Sequence, residues 1–265
     1  RSLPLADAVA QARALAAEGY RELVVTGIEI SSWGVDFRDG SRLEDLLAAV
    51  CQAVPDLRVR LGSLEPRTIT EDFCRALAPL GNVCPQFHLS LQSGCDAVLR
   101  RMGRRYDTAR YRESVDRLRR YFPGCAVTTD LIVGFPGETE AEFRASLAFV
   151  ESCGLAQIHV FPYSRRAGTA AARMEGQLPN AVKAARSAEA CRVAEDLARR
   201  YRSSMVGTVA EVLFEQPEGA FYAGHAGNYV TVYVPEAGDL HNQVLPVEIL
   251  GLREAGVLGR LQTQR

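Results

Sequence analysis

Apolar positions in the first two-thirds of the chain switch between helical spacing and short unbroken runs. Leu5 to Ala17 reads as a helix. Glu22 to Ile28 (ELVVTGI) is a β-branched run bounded by turn residues, the mark of a buried strand. Ser41 and Glu44 form a capping box ahead of Leu43, Leu46, Leu47 and Val50 at helical spacing. Pro55 stops that helix, and Leu57 to Leu64 is the next strand. Thr70 caps a helix whose first turn holds Glu71 and Asp72, where carboxylates suit the dipole. Phe87–Leu91, Ala126–Val133 and Gln157–Phe161 read as further strands. Between them lie helices striped by Tyr111, Val115, Leu118 and Phe122, and by Phe143, Leu147 and Val150 behind a Thr139–Glu142 box.

Strands alternating with helices of this length mean parallel βαβ units, an α/β fold. Five strands are expected, but the series opens with a helix. Either the first strand of the unit is absent, or an open sheet begins with a helix. Ser164 to Leu178 is a loop rich in Arg, Gly and Ala, and Pro179 starts a long helix to about Ser203. From Gly207 the runs VAEVLFE, YVTVYV and VLPVEIL, parted by Gly, Pro and Asn-rich turns, predict a small antiparallel barrel of about five strands. The expected domains are residues 1–203 and 204–265.

No apolar run approaches the roughly 20 residues of a spanning helix, and no signal-peptide core opens the chain. Seven cysteines, none within nine residues of another, argue against a disulfide framework or zinc knuckle and for a reducing, cytoplasmic setting. The formal net charge is -1, so overall charge points to no polyanion. Its distribution says more: Arg100 to Arg120 holds nine arginines against Asp107, Glu113 and Asp116. That stretch is either a solvated helix face or a phosphate-facing surface. His88 and His159 fall mid-strand and read as satisfied core histidines.

Three strand ends stand out. Leu91-Gln92-Ser93-Gly94-Cys95, Gly134-Phe135-Pro136-Gly137-Glu138-Thr139 and Phe161-Pro162-Tyr163-Ser164-Arg165-Arg166 put polar and glycine-rich residues where α/β folds bind ligands. Glycines admit close backbone approach, and the helix N-termini that follow favour anions. The plainer reading is three tight βα turns. No catalytic residue and no metal ligand is assigned from the sequence.

GSLEPRTIT (62–70), HLSLQSGCDAVLRRMGRRY (88–106), TTDLIVGFPGETEAEF (128–143) and HVFPYSRRAGTAAARM (159–174) resemble the radical-SAM methylthiotransferases MiaB, RimO and MtaB, above all the MtaB branch. The tail from Ser204 resembles a TRAM domain. The resemblance implies a partial parallel (β/α) barrel, lacking its first strand here, followed by a small OB-like all-β barrel. It implies S-adenosylmethionine and [4Fe-4S] clusters as cofactors, and as substrate the threonylcarbamoyladenosine of a tRNA anticodon stem-loop, methylthiolated on its purine ring. Within it, Gln92, Ser93, Asp130, Gly134 and Glu138, with Glu29 and Glu65, are expected to hold S-adenosylmethionine. Tyr163, Arg165 and Arg166 are expected to meet the substrate.

The sequence departs from that family at one point: the three-cysteine CxxxCxxC motif and the auxiliary-cluster domain are missing. The chain alone is therefore expected to lack the activity, with the cluster ligands in a longer parent. The TRAM-like tail is also acidic, with Arg253, Arg260 and Arg265 against Glu211, Glu215, Glu218, Glu236, Asp239, Glu248 and Glu254. Tyr222, His225 and Tyr229 are its candidates for stacking on bases, with core packing expected for two of the three. Three alternatives remain: methylthiolation of isopentenyladenosine or a ribosomal protein, a non-catalytic RNA-binding remnant, and an unrelated phosphate-binding barrel. Oligomeric state is not encoded in any motif.

Overall fold

A computed structural model describes residues 1–235 and 238–262. Five parallel strands and the helices between them build the first body. These are α1 (Leu5–Ala17), β1 (Glu22–Val25), α2 (Leu43–Ala53), β2 (Arg58–Leu61), α3 (Glu71–Leu77), β3 (Gln86–His88), α4 (Asp96–Arg101), α5 (Thr108–Tyr121), β4 (Ala126–Val133), α6 (Glu140–Cys153) and β5 (Gln157–Pro162). β1 pairs with β2, and β3 with β4 and then β5, all parallel. The two groups join through bridges at Val59–Val83 and Leu64–Leu89.

Side-chain alternation sets the two faces. Val59, Leu61, Phe87, Leu89, Val127, Leu131, Val133 and Ile158 lie in one core with apolar stripes of the helices. Helices touch in sequence, α1 on α2, α2 on α3, α3 on α5, α5 on α6 and α6 on the long helix that follows β5. They therefore line one face only, as in a (β/α) barrel. The other face is polar: Glu22, Arg58, Arg60, Gln86, His88, Thr128, Asp130, Gln157 and His159 occupy the alternate positions.

Local chemistry explains the helix starts. The Thr139 hydroxyl accepts the Glu142 N–H and the Glu142 carboxylate accepts the Thr139 N–H, a complete capping box. Thr70 accepts from Phe73 N–H. The α2 box sits one residue later than the sequence suggests: the Asp45 carboxylate accepts the Arg42 N–H at 2.8 Å, and Arg42 is the N-cap. Strand β1 is shorter than its apolar run; the chain leaves the sheet after Val25, and Ile28 is fully exposed.

The long helix, α7 (Asn180–Ser204), runs along β4 and β5. Strands β6 (Val209–Glu218), β7 (Phe221–Ala226), β8 (Thr231–Pro235), β9 (Val244–Arg253) and β10 (Gly256–Leu261) close a barrel in the order β10-β8-β7-β6-β9. It is mixed rather than antiparallel, because β10 pairs parallel to β8 to complete the ring. Val212, Phe214, Tyr222, Val232, Val234, Val247, Ile249 and Val257 fill it. Glu236 and Arg265, counted in the tail's charge balance, lie outside the described residues. No described helix is long and apolar enough to cross a membrane.

The small barrel docks at the amino-terminal end of the parallel strands. The Glu22 carboxylate takes Arg58 at 2.6 Å and Arg60 at 2.7 Å. Arg58 donates on to the carbonyls of Glu211 and His225, and Arg60 to that of Gly227. Tyr229 lies under the Arg60 guanidinium, 4.6 Å from ring centroid to Cζ, with His225 stacked on it at 4.9 Å. Of the three aromatic candidates only Tyr222 is a core residue; His225 and Tyr229 are engaged at this joint.

Candidate functional site

The opposite, carboxyl-terminal end of the strands carries the candidate site. Register brings its residues together: Asp130 lies beside His159 on β5, and Thr128 beside His88 on β3. His88 Nε2 is 3.5 Å from an Asp130 carboxylate oxygen. His88 Nδ1 lies 3.1 Å from the Thr128 hydroxyl, which also receives the Gln86 amide at 3.2 Å. The His88 and His159 rings are 6.1 Å apart. Neither histidine is a core residue; both stand on the polar face, and His159 is exposed. The hydrogen bond and charge of His88 beside it hold the Asp130 carboxyl below the usual carboxylate range, so it is ionised at neutral pH. Its side chain is 31 % exposed, leaving room for a ligand's donor.

Gln92 closes this group. It is buried with φ of +69°, a left-handed conformation unusual for a side-chain-bearing residue. Its N–H donates to the Asp130 carbonyl and its carbonyl accepts the Ile132 N–H, which clips the end of β3 to β4. Strain at a strand end, held by two backbone hydrogen bonds, is the kind that accompanies a ligand site.

The remaining predicted residues divide by role. Ser93 is fully buried and accepts the Cys95 N–H, so it shapes the turn. Gly94 brings that turn against α6: its N–H donates to the Ser146 hydroxyl at 2.7 Å, and a Cβ there would meet the Ser146 carbonyl at 2.6 Å. Gly134, at φ +73°, donates to the Glu138 carboxylate at 2.7 Å. Glu138 is buried against Arg186 of α7, also at 2.7 Å. Burial pushes the Glu138 carboxyl up, outweighing the Gly134 N–H and the Arg186 charge. Ser93, Gly134 and Glu138 thus have partners inside the chain. Glu65 pairs with Arg67 on the flank, and Glu29 is exposed before a short 3-10 turn. Tyr163 packs edge-on to Phe135 at 5.4 Å with its hydroxyl buried and without a partner. Arg165 donates to the Ala172 carbonyl, and Arg166 is exposed.

A family model described as the Radical SAM superfamily matches residues 1–150. The chain belongs to that superfamily. Among its curated relatives is the threonylcarbamoyladenosine tRNA methylthiotransferase MtaB of Thermotoga maritima, 36% identical over 97% of this chain and 59% of that protein. The Bacillus subtilis protein of the same name is 35% identical over 94% of this chain and 56% of its own length. A tRNA-2-methylthio-N(6)-dimethylallyladenosine synthase of Acidothermus cellulolyticus is 42% identical, over 80% of this chain and 43% of that one. The chain thus spans less than two-thirds of the length of each of these relatives. Among solved structures, the radical SAM enzyme coproporphyrinogen III oxidase (HemN) from Escherichia coli aligns with a TM-score of 0.58 at 14% identity, over 83% of this chain and 59% of that one. SuiB of Streptococcus suis, bound to S-adenosylmethionine, aligns at 0.51 with 14% identity, over 76% of this chain and 42% of that chain. These two likenesses carry the radical SAM fold.

The donor set fits S-adenosylmethionine. An ionised, partly open carboxylate at Asp130 and the side-chain amide of Gln92 at a strand end supply acceptors and a donor for ammonium, hydroxyl and adenine groups. The cluster is a different matter. Among the described residues no group of three or more His, Cys, Asp or Glu side chains converges to hold a metal ion. Cys51, Cys74, Cys84, Cys125 and Cys153 are buried on separate elements. Burial pushes the Cys84 and Cys125 thiols up to about 12 and the other three to about 11, away from the thiolate that binds iron. These thiols do not fit an iron–sulfur cluster.

Proposed function

We propose that the whole protein is a tRNA methylthiotransferase that places a methylthio group on the purine ring of threonylcarbamoyladenosine beside the anticodon. One observation supports this branch: the MtaB matches run through the small barrel, over 94% to 98% of the chain. Bound S-adenosylmethionine supplies one-electron chemistry that breaks an unreactive C–H bond, beyond the reach of acid–base side chains. Asp130 and Gln92 hold its polar groups, with Glu65 and Glu29 on the flank. Ser93, Gly134 and Glu138 keep the backbone of the cradle in shape. Tyr163, Arg165 and Arg166 meet the substrate, whose carboxylate suits a guanidinium. The tail from residue 204 is a TRAM domain in this reading, residues 1–203 form the barrel domain, and the setting is cytoplasmic.

The dimethylallyladenosine reading is favoured by the higher identity of those relatives, 39% to 42% over about four-fifths of the chain. The whole protein, expressed in a host without methylthiotransferases, decides between them by mass spectrometry of digested tRNA. Methylthio-threonylcarbamoyladenosine is the expected product; appearance of only the dimethylallyl product overturns the branch. The scattered, protonated thiols carry a further expectation. Anaerobic reconstitution of these 265 residues should give no stoichiometric, reducible cluster by EPR. A cluster whose signal shifts with S-adenosylmethionine would refute it.

A further inference from the structure

The arginine-rich stretch 100–120 divides sharply. Arg101 is bidentate on Glu142 at 2.8 Å. Arg110 and Arg117 bind Glu113 and the Ile69 carbonyl. Arg119 donates to the Cys153 and Gly154 carbonyls, Arg112 to Ser152, and Arg120 pairs with Glu71. These six bolt α4 and α5 onto the fold. Arg100, Arg104 and Arg105 are exposed, and among the described residues their side chains have no hydrogen-bond or ion-pair partner.

Their position is fixed although their guanidinium groups are free. Tyr106, next to Arg105, is buried, and its hydroxyl donates to the carbonyls of Ser90 at 2.6 Å and Leu91 at 3.3 Å. That pins the 103–106 turn to the carboxyl end of β3, beside Gln92. Arg101 also reaches the Gly137 carbonyl, and the Gly137 N–H donates to the Gly176 carbonyl. A chain of contacts therefore joins this turn to the GFPGE turn and on to the loop that carries Arg166. Nearby acids are largely engaged: Glu142 with Arg101, Glu138 with Arg186, Glu65 with Arg67, and Asp96 with the Thr108 N–H.

Among the described residues of the small barrel, both arginines are engaged. Arg260 pairs with Glu248 at 2.8 Å. Arg253 lies 3.9 Å over the Phe221 ring and pairs with Glu254. His225 and Tyr229 are occupied at the joint with Arg60, at the far end of the strands.

From this we infer that Arg100, Arg104, Arg105 and Arg166 form a cationic rim at the site's mouth that takes phosphates of the substrate RNA. The inference rests on the tRNA reading above. Because the turn is already anchored, binding phosphate costs no ordering of its backbone, and each contact releases counterions.

The test uses this chain and a fluorescent anticodon stem-loop RNA, with affinity measured by anisotropy across a salt series. R104E/R105E should lower affinity at low salt by roughly tenfold or more, and flatten the log–log salt slope by about 1.4–1.8, two contacts' worth. R104Q/R105Q should flatten the slope alike with a smaller loss of affinity. R260E in the small barrel should leave the slope unchanged. Circular dichroism on each variant checks that the exposed substitutions preserve the fold. An unchanged slope in both rim variants, or a larger effect from R260E, overturns the rim. Failure of the unaltered chain to bind the stem-loop at all would instead count against the tRNA reading itself.

Discussion

Replacing Glu22 with Gln is expected to cost about 3–5 kcal/mol of stability, because it strands two nearly buried guanidinium groups. Only 14% of the Glu22 side chain, 13% of Arg58 and 5% of Arg60 is exposed. Burial pushes the Glu22 carboxyl up, but the hydrogen bonds and charges of Arg60 and Arg58 outweigh it and hold it below the usual carboxylate range. A carboxyl whose folded pKa is depressed stabilises the fold above its unfolded pKa. That contribution is lost as pH falls through the folded value. The wild type should therefore lose stability on the acid side through this group, and E22Q should be much less sensitive there. Urea titrations from pH 7 downward read both effects. Loss of the small barrel's docking should appear as a separate first transition; a single unshifted transition in E22Q would refute the assignment.

Arg186→Met should be nearly as damaging, with the opposite dependence on pH. It leaves Glu138, 1% exposed in its side chain, without its cation. Uncompensated burial of a charge costs about 3–5 kcal/mol. The methionine keeps the contact that Arg186 makes over the Phe143 ring, so lost packing contributes little. Burial already raises the Glu138 carboxyl. For a raised carboxyl the folded state prefers the protonated form, so stability falls as pH rises from the unfolded to the folded pKa. The cost of R186M should be greatest on the alkaline side and should shrink as pH falls and Glu138 takes up a proton. Destabilisation that does not change with pH would mean that Arg186 acts through packing alone.

The elements whose boundaries were legible carry strong local signals. Ala126–Val133 is an eight-residue strand bounded by Gly124 and Gly134, and α6 has a complete Thr139–Glu142 box. The α2 start slipped by one residue because Asp45, not Glu44, reaches the free N–H. The two histidines misled for a different reason. His88 and His159 sit among apolar neighbours and so read as core, but strand parity turns them to the polar face beside Asp130. Which residues meet across strands depends on register and twist, which no local pattern carries. Closure of the small barrel by a parallel β10–β8 pair was likewise out of reach, since it joins segments with no turn between them. The three loops at the strand ends were legible as a group. Division of their residues into scaffold and open positions needed the partners Ser146, Arg186 and Cys95.

The joint between the two bodies has a consequence for sequence drift and for engineering. Arg58 and Arg60 grip main-chain oxygens of Glu211, His225 and Gly227, which every amino acid supplies. Such a clamp reads the path of the backbone and is blind to most side chains along it. Side chains matter at a few points: Gly227, where an added Cβ would meet Pro85 at 3.2 Å, Tyr229 under Arg60, and Asn228 and Asn242, whose amides donate to the Tyr201 hydroxyl and the Gly19 carbonyl. The surface of the small barrel away from these points is thus free to change while the seating on the parallel strands stays the same.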